Sequence, residues 1–192
     1  CFSQQRAWAG AQVEEPLVDS VRTALSSAIS NSAPPIPEFQ DTESRLNYLR
    51  WLGAMSERLK KKKPEWDVRR EFLQTVWYES KRAGLDVSLV LGLIQVESNF
   101  RKFAVSSVGA RGYMQVMPFW TKSIGVPEHD LFHLRLNLRY GCTILRHYLD
   151  IEHGDLYRAL GRYNGSLGQS QYPQSVLNAW HKNWFFSKNT LY

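Results

Sequence analysis

The sequence predicts an all-α protein, mainly helical with a small β excursion, and three observations carry that expectation. Apolar residues recur at three- and four-residue intervals in one segment after another. Cap and breaker residues, among them Asp41, Gly84, Asp86 and Pro118, stand where those segments begin and end. One stretch, Ser106 to Gln115 with Gly109 and Gly112, departs from the helical pattern and reads as turns with a short strand pair. At 192 residues, 43% apolar and 22% charged, the chain suffices for one globular core and an appendage rather than two full domains. It contains neither an internal repeat nor a low-complexity tract.

Residues 1 to 32 hold one amphipathic helix, with Val13, Leu17, Val21, Leu25 and Ile29 at four-residue spacing. Asn31 to Pro37, with Pro34, Pro35 and Pro37, forbids helix and forms an extended linker centred on residues 33–37. Asp41 and Thr42 cap a second helix with apolar positions Leu46, Leu49, Leu52 and Leu59, and Lys60 to Lys63 reads as its solvated end. Residues 1–65 are thus an N-terminal helical extension, and 66–192 the main body. Phe72, Leu73, Val76, Trp77 and Ser80 mark the buried face of the next helix, which Gly84 stops. Val87 to Ser98 is apolar nearly all round and should be the central helix. Pro118 opens a brief helix, and further helices are expected near His133 to Ile151, Leu156 to Tyr163 and Pro173 to Phe186.

Net charge of +6 and 13% aromatic residues suit a polyanion, a glycan or an anionic surface. Two cysteines, Cys1 and Cys142, exclude a multi-bridge disulfide framework and a cysteine-based zinc site. Cys142 falls on the inward stripe Leu134, Leu138, Cys142, Leu145 and Leu149, as a buried inert thiol. Cys1 stands open between lipid attachment, a disulfide to Cys142 and a free thiol, and its position in place of Met reads as a processed or trimmed chain. Five histidines lack metal-binding spacing, so no metal is expected. The longest apolar run, Val87 to Val96, is about half what a membrane-crossing helix needs. Asp150 and Glu152, near a helix end, are expected to face water.

Glu97 is the exception that organises the chemistry. It ends the most apolar helix, where burial by Leu93, Ile94 and Phe100 and the partial negative charge of the helix terminus both oppose its ionisation. A rise of about two pKa units would bring it to a value useful for donating a proton near neutral pH.

The segment continues as Glu97-Ser98-Asn99-Phe100, then Ser106-Ser107-Val108-Gly109-Ala110-Arg111-Gly112-Tyr113-Met114-Gln115-Val116-Met117-Pro118, then Asn137-Leu138-Arg139-Tyr140-Gly141, then Tyr163-Asn164-Gly165. This succession, covering Trp66 to Trp180, closely resembles the soluble lytic transglycosylase (SLT) domain, a goose-lysozyme-like fold that cleaves peptidoglycan. The resemblance implies that Glu97 is the sole catalytic acid/base and that Ser106 orients that glutamate or the substrate. It implies a groove lined by Met114 and Gln115, with Tyr163 close to the acid and Asn164 as its polar neighbour. Met114 reads equally as a core filler, alongside Met117, and Asn137 as a hydrogen bonder inside its helix. Tyr113 stands where Leu is usual, and Gly165-Ser166 where Ala-Gly is usual, which bears on subsite preference.

A conventional glycosidase needs two carboxylates, and only Glu97 presents itself. The resemblance implies a route with one: Glu97 protonates the oxygen between N-acetylmuramic acid and N-acetylglucosamine, then deprotonates the muramic acid C6 hydroxyl, which closes a 1,6-anhydro ring on C1. No cofactor is implied. The expected partner is the peptidoglycan glycan strand, with no nucleic acid, membrane contact only through a lipidated Cys1, and a monomeric state. The expected location is periplasmic or secreted, lipid-anchored if Cys1 is modified. The rival readings are a hydrolytic goose-type muramidase, a non-catalytic peptidoglycan-binding module and a nucleic-acid binder resting on the positive charge alone.

Overall fold

The structure is a computed structural model that describes residues 12–30 and 36–187. Helices α1 (Asp19–Ser30), α2 (Thr42–Leu59), α3 (Trp66–Arg82), α4 (Val87–Ser98), α5 (Phe119–Ile124), α6 (Leu134–Ile151), α7 (Leu156–Asn164) and α8 (Gln171–Ala179) follow in order, and α8 runs into a π-helical turn, Trp180–Trp184. The architecture is all-α. The expected β excursion reduces to two isolated bridges, Val105 with Arg111 and Arg111 with Val116. Among the described residues no helix is long and apolar enough to cross a membrane.

Helix α4 is the axis of the body. Asp86 caps it by accepting from the Leu89 N–H at 2.9 Å, and Val90, Leu91, Leu93 and Ile94 are fully enclosed. It packs against α3, α8 and the π turn, while α6 packs against α3, α7 and α1. Gly92 permits a close approach to the π turn: a Cβ there would stand 2.8 Å from the Trp180 backbone nitrogen. Gly141 on α6 likewise leaves the space that the Met114 side chain fills.

The N-terminal extension differs from its sequence expectation in three respects. Residues 12–18 are not helical, and α1 begins only at Asp19, because Pro16 supplies no N–H and forces the turn before it open. Leu17, Leu25 and Ile29 still reach the core, whereas Val13 and Val18 are exposed. On α2, Leu46 and Leu49 are 45% and 48% exposed; the buried stripe is Tyr48, Trp51, Leu52, Met55 and Leu59. The large aromatics decide the helix rotation, since Tyr48 and Trp51 pack against Trp77 of α3 and bury more apolar area than two leucines. The expected cap holds, with Asp41 accepting from the Ser44 N–H.

Lys63 is the third departure. Lys60 to Lys62 are solvated, but Lys63 is 7% exposed, donates to the Tyr113 hydroxyl at 2.7 Å and lies over the Phe72 and Tyr113 rings. Burial, helped by the charge of Lys102, pushes its ammonium down to about 8. The proline-rich residues 31–35 and the Cys1 terminus lie outside the described residues; Cys142 is a buried free thiol, and burial pushes its pKa upward.

Helix α8 begins at Gln171, two residues before Pro173, which sits in the first turn where its missing N–H costs nothing. Asp150 is exposed, as expected, but Glu152 is not: it turns inward to pair with Arg158 and Arg162, whose hydrogen bonds hold its carboxyl below the usual range. The deepest charges are elsewhere. Glu79 of α3 accepts from Arg139 of α6 at 2.9 Å and from Arg82 at 3.0 Å, tying the two helices through a desolvated pair. Arg139→Met should lower the unfolding free energy by about 2–3 kcal/mol, and Glu79→Met with Arg139→Met should recover part of that loss, because a buried carboxylate left with only the part-exposed Arg82 costs more than none. Urea denaturation of the three variants measures both effects.

Candidate active site

Glu97 lies one residue before the end of α4 and is 2% exposed. Helix α4 closes at Asn99, whose left-handed conformation (φ 50°) accepts the usual role of a C-terminal cap. Phe100 follows with φ 63°, a strained value for a bulky residue. The turn delivers the Phe100 ring to Phe72 and Trp184, making an aromatic wall just beyond the glutamate. Such strain is maintained only where surrounding packing holds it.

Among the described residues the carboxyl has one hydrogen-bond partner. Tyr172 of α8 donates its hydroxyl to Glu97 Oε1 at 2.5 Å, while Oε2 is buried without a partner. Burial dominates and raises the Glu97 pKa to about 8, against the lowering effect of the Tyr172 bond. Among the described residues no cation or second carboxylate contributes to that balance. At neutral pH Glu97 is therefore mostly a neutral acid with a proton to give. Burial and the Glu97 charge in turn hold the Tyr172 phenol well above its ordinary value, so it remains a donor.

The other sequence-predicted residues fall into two groups. Tyr163 comes close enough for the Glu97 charge to raise its pKa, and its hydroxyl donates to the Met114 carbonyl at 2.7 Å. Asn164 is buried beside it at the end of α7, with Nδ2 unpartnered. Met114 is wholly buried; its N–H is accepted by Asn137 Oδ1 at 2.8 Å. Asn137 also donates to the Arg111 and Leu131 carbonyls, so it pins the whole 111–114 turn from inside α6. Gln115 has φ 49° and spends its side-chain amide on the Ala104 and Gly112 carbonyls, at 3.1 and 2.9 Å. Ser106 is half-buried, and its hydroxyl accepts from the Ala110 N–H at 3.0 Å rather than engaging Glu97.

Two residues at the site escaped the sequence reading. Tyr172 presents itself in sequence only as an apolar position of α8, and the hydroxyl that meets Glu97 is set by how α8 crosses α4. Gln12 is the other: its carboxamide reaches the backbone of Gln115, Met117 and Tyr163 from the far end of the chain. Among the described residues no cluster of three or more His, Cys, Asp or Glu is placed to hold a metal.

The chain resembles known proteins over this region. The family described as "Transglycosylase SLT domain" matches residues 74–182. The "Transglycosylase" of Enterobacteria phage PRD1 is 35% identical over 102 residues, 53% of this chain and 37% of that protein. "Membrane-bound lytic murein transglycosylase C" of Mannheimia succiniciproducens is 47% identical over 49 residues, 26% of this chain and 14% of that one. The chain thus spans well under half the length of these curated relatives. Among solved structures, an inactive mutant of the lytic transglycosylase Slt from Pseudomonas aeruginosa superposes with a TM-score of 0.51 at 24% identity, over 71% of this chain and 28% of that one, a likeness of fold. With more than half of its length, Glu97 and Tyr172 included, inside the family match, the chain belongs to the transglycosylase SLT domain family.

Proposed function

We propose that the protein is a peptidoglycan lytic transglycosylase in which Glu97 acts first as acid and then as base. The observation that carries this reading is a buried, neutral carboxyl whose ionisation no second carboxylate among the described residues perturbs. Hydrolytic glycosidases set two carboxyl groups about the scissile bond, one to protonate the leaving oxygen and one to attack or to activate water. With one carboxyl, the second role passes to the substrate. Glu97 gives its proton to the oxygen between N-acetylmuramic acid and N-acetylglucosamine as the C1–O bond breaks. The resulting carboxylate takes the proton of the muramic acid C6 hydroxyl, whose oxygen bonds to C1 and closes the 1,6-anhydro ring. Glu97 ends protonated, and no water is consumed. Proximity of O6 to C1 within one sugar replaces a second protein nucleophile. Tyr172 is a positioning residue: it fixes Oε1 and leaves Oε2, free of partners, as the oxygen that faces the reaction.

Within the same proposal, Gln115, Met114, Tyr163, Asn164 and Ser106 shape the groove, mostly through backbone and turn geometry. The net charge of +6 favours an acidic wall polymer. Peptidoglycan lies outside the cytoplasmic membrane, so we place the protein in the periplasm or outside the cell, working as a monomer, with Cys1 as the point of any lipid anchor.

Glu97→Gln should cut clearing of purified peptidoglycan by roughly 100-fold or more while binding persists, and products lighter by one water than hydrolytic fragments should disappear with it. Mass spectrometry of the wild-type digest decides the reaction: free reducing ends in place of anhydro ends would make the enzyme a muramidase. Tyr172→Phe removes a bond that favours the charged carboxyl, so the basic limb of the pH–rate profile should move to higher pH and kcat should fall by about tenfold. For stability, the folded-state pKa of Glu97 near 8 lies above its unfolded value, so the native state binds the proton more tightly. Wild type and Glu97→Gln should therefore be nearly equal in stability below pH 4.5, and wild type should fall behind as pH rises to about 8, as thermal unfolding across that window will show.

A further inference from the structure

Gln12 is 3% exposed, although the residues after it in the 12–18 segment are mostly open to solvent. Its Nε2 donates to the Gln115 carbonyl at 3.1 Å and to the Tyr163 carbonyl at 2.9 Å, and its Oε1 accepts from the Met117 N–H at 2.9 Å. These three backbone groups are not paired by regular structure. The left-handed backbone of Gln115 turns its carbonyl out of the 112–115 turn, and the Tyr163 carbonyl lies in the last turn of α7, where helices leave carbonyls unpaired. Gln12 thus ties together the backbones of two residues of the site, Gln115 and Tyr163, and the Tyr163 hydroxyl in turn holds the Met114 carbonyl next to Gln115.

A primary carboxamide presents a C=O and N–H groups on one carbon. The acetamido substituent of an amino sugar presents the same C=O and one N–H, enough for Met117 and for one of the two carbonyls. We propose that residues 12–18 are an internal ligand: Gln12 occupies an acetamide-binding cradle formed by the backbones of Gln115, Met117 and Tyr163 and keeps the enzyme autoinhibited until an N-acetylated glycan displaces it. In naming the glycan, this proposal rests on the function proposed above.

The segment is held as a displaceable ligand would be. Among the described residues its one salt bridge, Glu15 to Arg162 at 3.1 Å, is half exposed on the glutamate side and contributes little. Val13, Pro16 and Leu17 form one wall of a half-open pocket of about 190 Å³ whose other wall is Trp120, Tyr148 and Ile151, so the segment lies against that surface without sealing it. Only from α1 onward does the extension bury a residue fully in the core, at Ile29. Residues 12–18 can leave while α1 stays.

The test uses the full chain. In the Glu97→Gln background, Gln12→Ala and Gln12→Glu are each compared with the parent for binding of tri-N-acetylchitotriose and of fully deacetylated chitotriose, and both Gln12 variants with Glu97 intact are assayed for clearing. Gln12→Glu keeps the shape but turns a carboxylate toward two carbonyls, so it releases the segment by repulsion. The expected result is roughly tenfold tighter binding of the acetylated trimer in both variants, by removal of the closed population, with a lower KM in clearing and no gain for the deacetylated trimer. Unchanged or weaker binding of the acetylated trimer in both variants overturns the proposal, as does an equal gain for the deacetylated one. Thermal unfolding runs alongside; a variant that loses its fold marks Gln12 as a structural tie and also overturns it. The binding arm needs no cleavage, so wild-type clearing without the affinity gain defeats this inference alone, and the affinity gain without clearing by any variant defeats the proposed reaction alone.

Discussion

Everything at the site depends on keeping one carboxyl dry. An ionisable group inside an apolar helix is expensive, and the protein meets the cost by letting Glu97 stay protonated instead of pairing it with a cation. The contrast with Glu79 makes the point: that glutamate, equally buried, is given Arg139 and Arg82 and serves as a brace between α3 and α6. The same residue type thus has two fates, set by whether a guanidinium is in reach. The enclosing α4, α8 and π turn and the strained Phe100 all serve the dry environment, and among the described residues the Tyr172 hydroxyl is the only polar side-chain group hydrogen-bonded to the acid.

The body of the fold was legible because its elements obey local rules. Asp86 and Asp41 cap where their side chains can reach N–H groups three residues on, Gly84 ends α3, and the all-round apolar character of α4 marked it as central. The extension was less legible. Four-residue spacing suggested one long helix through Val13, but Pro16 outweighs periodicity, and on α2 the aromatic bulk of Tyr48 and Trp51 outweighs the leucine pattern. The fold of Lys63 inward could not be seen from a run of four lysines, since it depends on Tyr113, fifty residues away, offering a hydroxyl and a ring.

The site was legible in part for a related reason. Glu97 announces itself by being the wrong residue in an apolar run. Tyr163 and Asn164 were placed near it by resemblance, and the structure gives Tyr163 a further duty, clamping the Met114 carbonyl. Gln115 and Ser106 turn their polar groups to nearby backbone, so their contribution is to the shape of the 104–116 turns. Tyr172 and Gln12 act through crossings of elements distant in sequence, and no spacing rule reaches that far.

Gly92 carries a consequence of another kind. It sits five residues before Glu97 on the same helix, and its missing side chain is what allows the backbone at Trp180 to lie against α4. The π turn in contact there also supplies Trp184 to the Phe100 wall and, with Asn183, two donors to Gln95. In a random-mutagenesis screen scored by the proposed wall-clearing activity, position 92 would behave like a catalytic position, losing function on nearly every exchange. It would do so with its chemistry-bearing neighbour intact, because what is lost is the distance between two backbones.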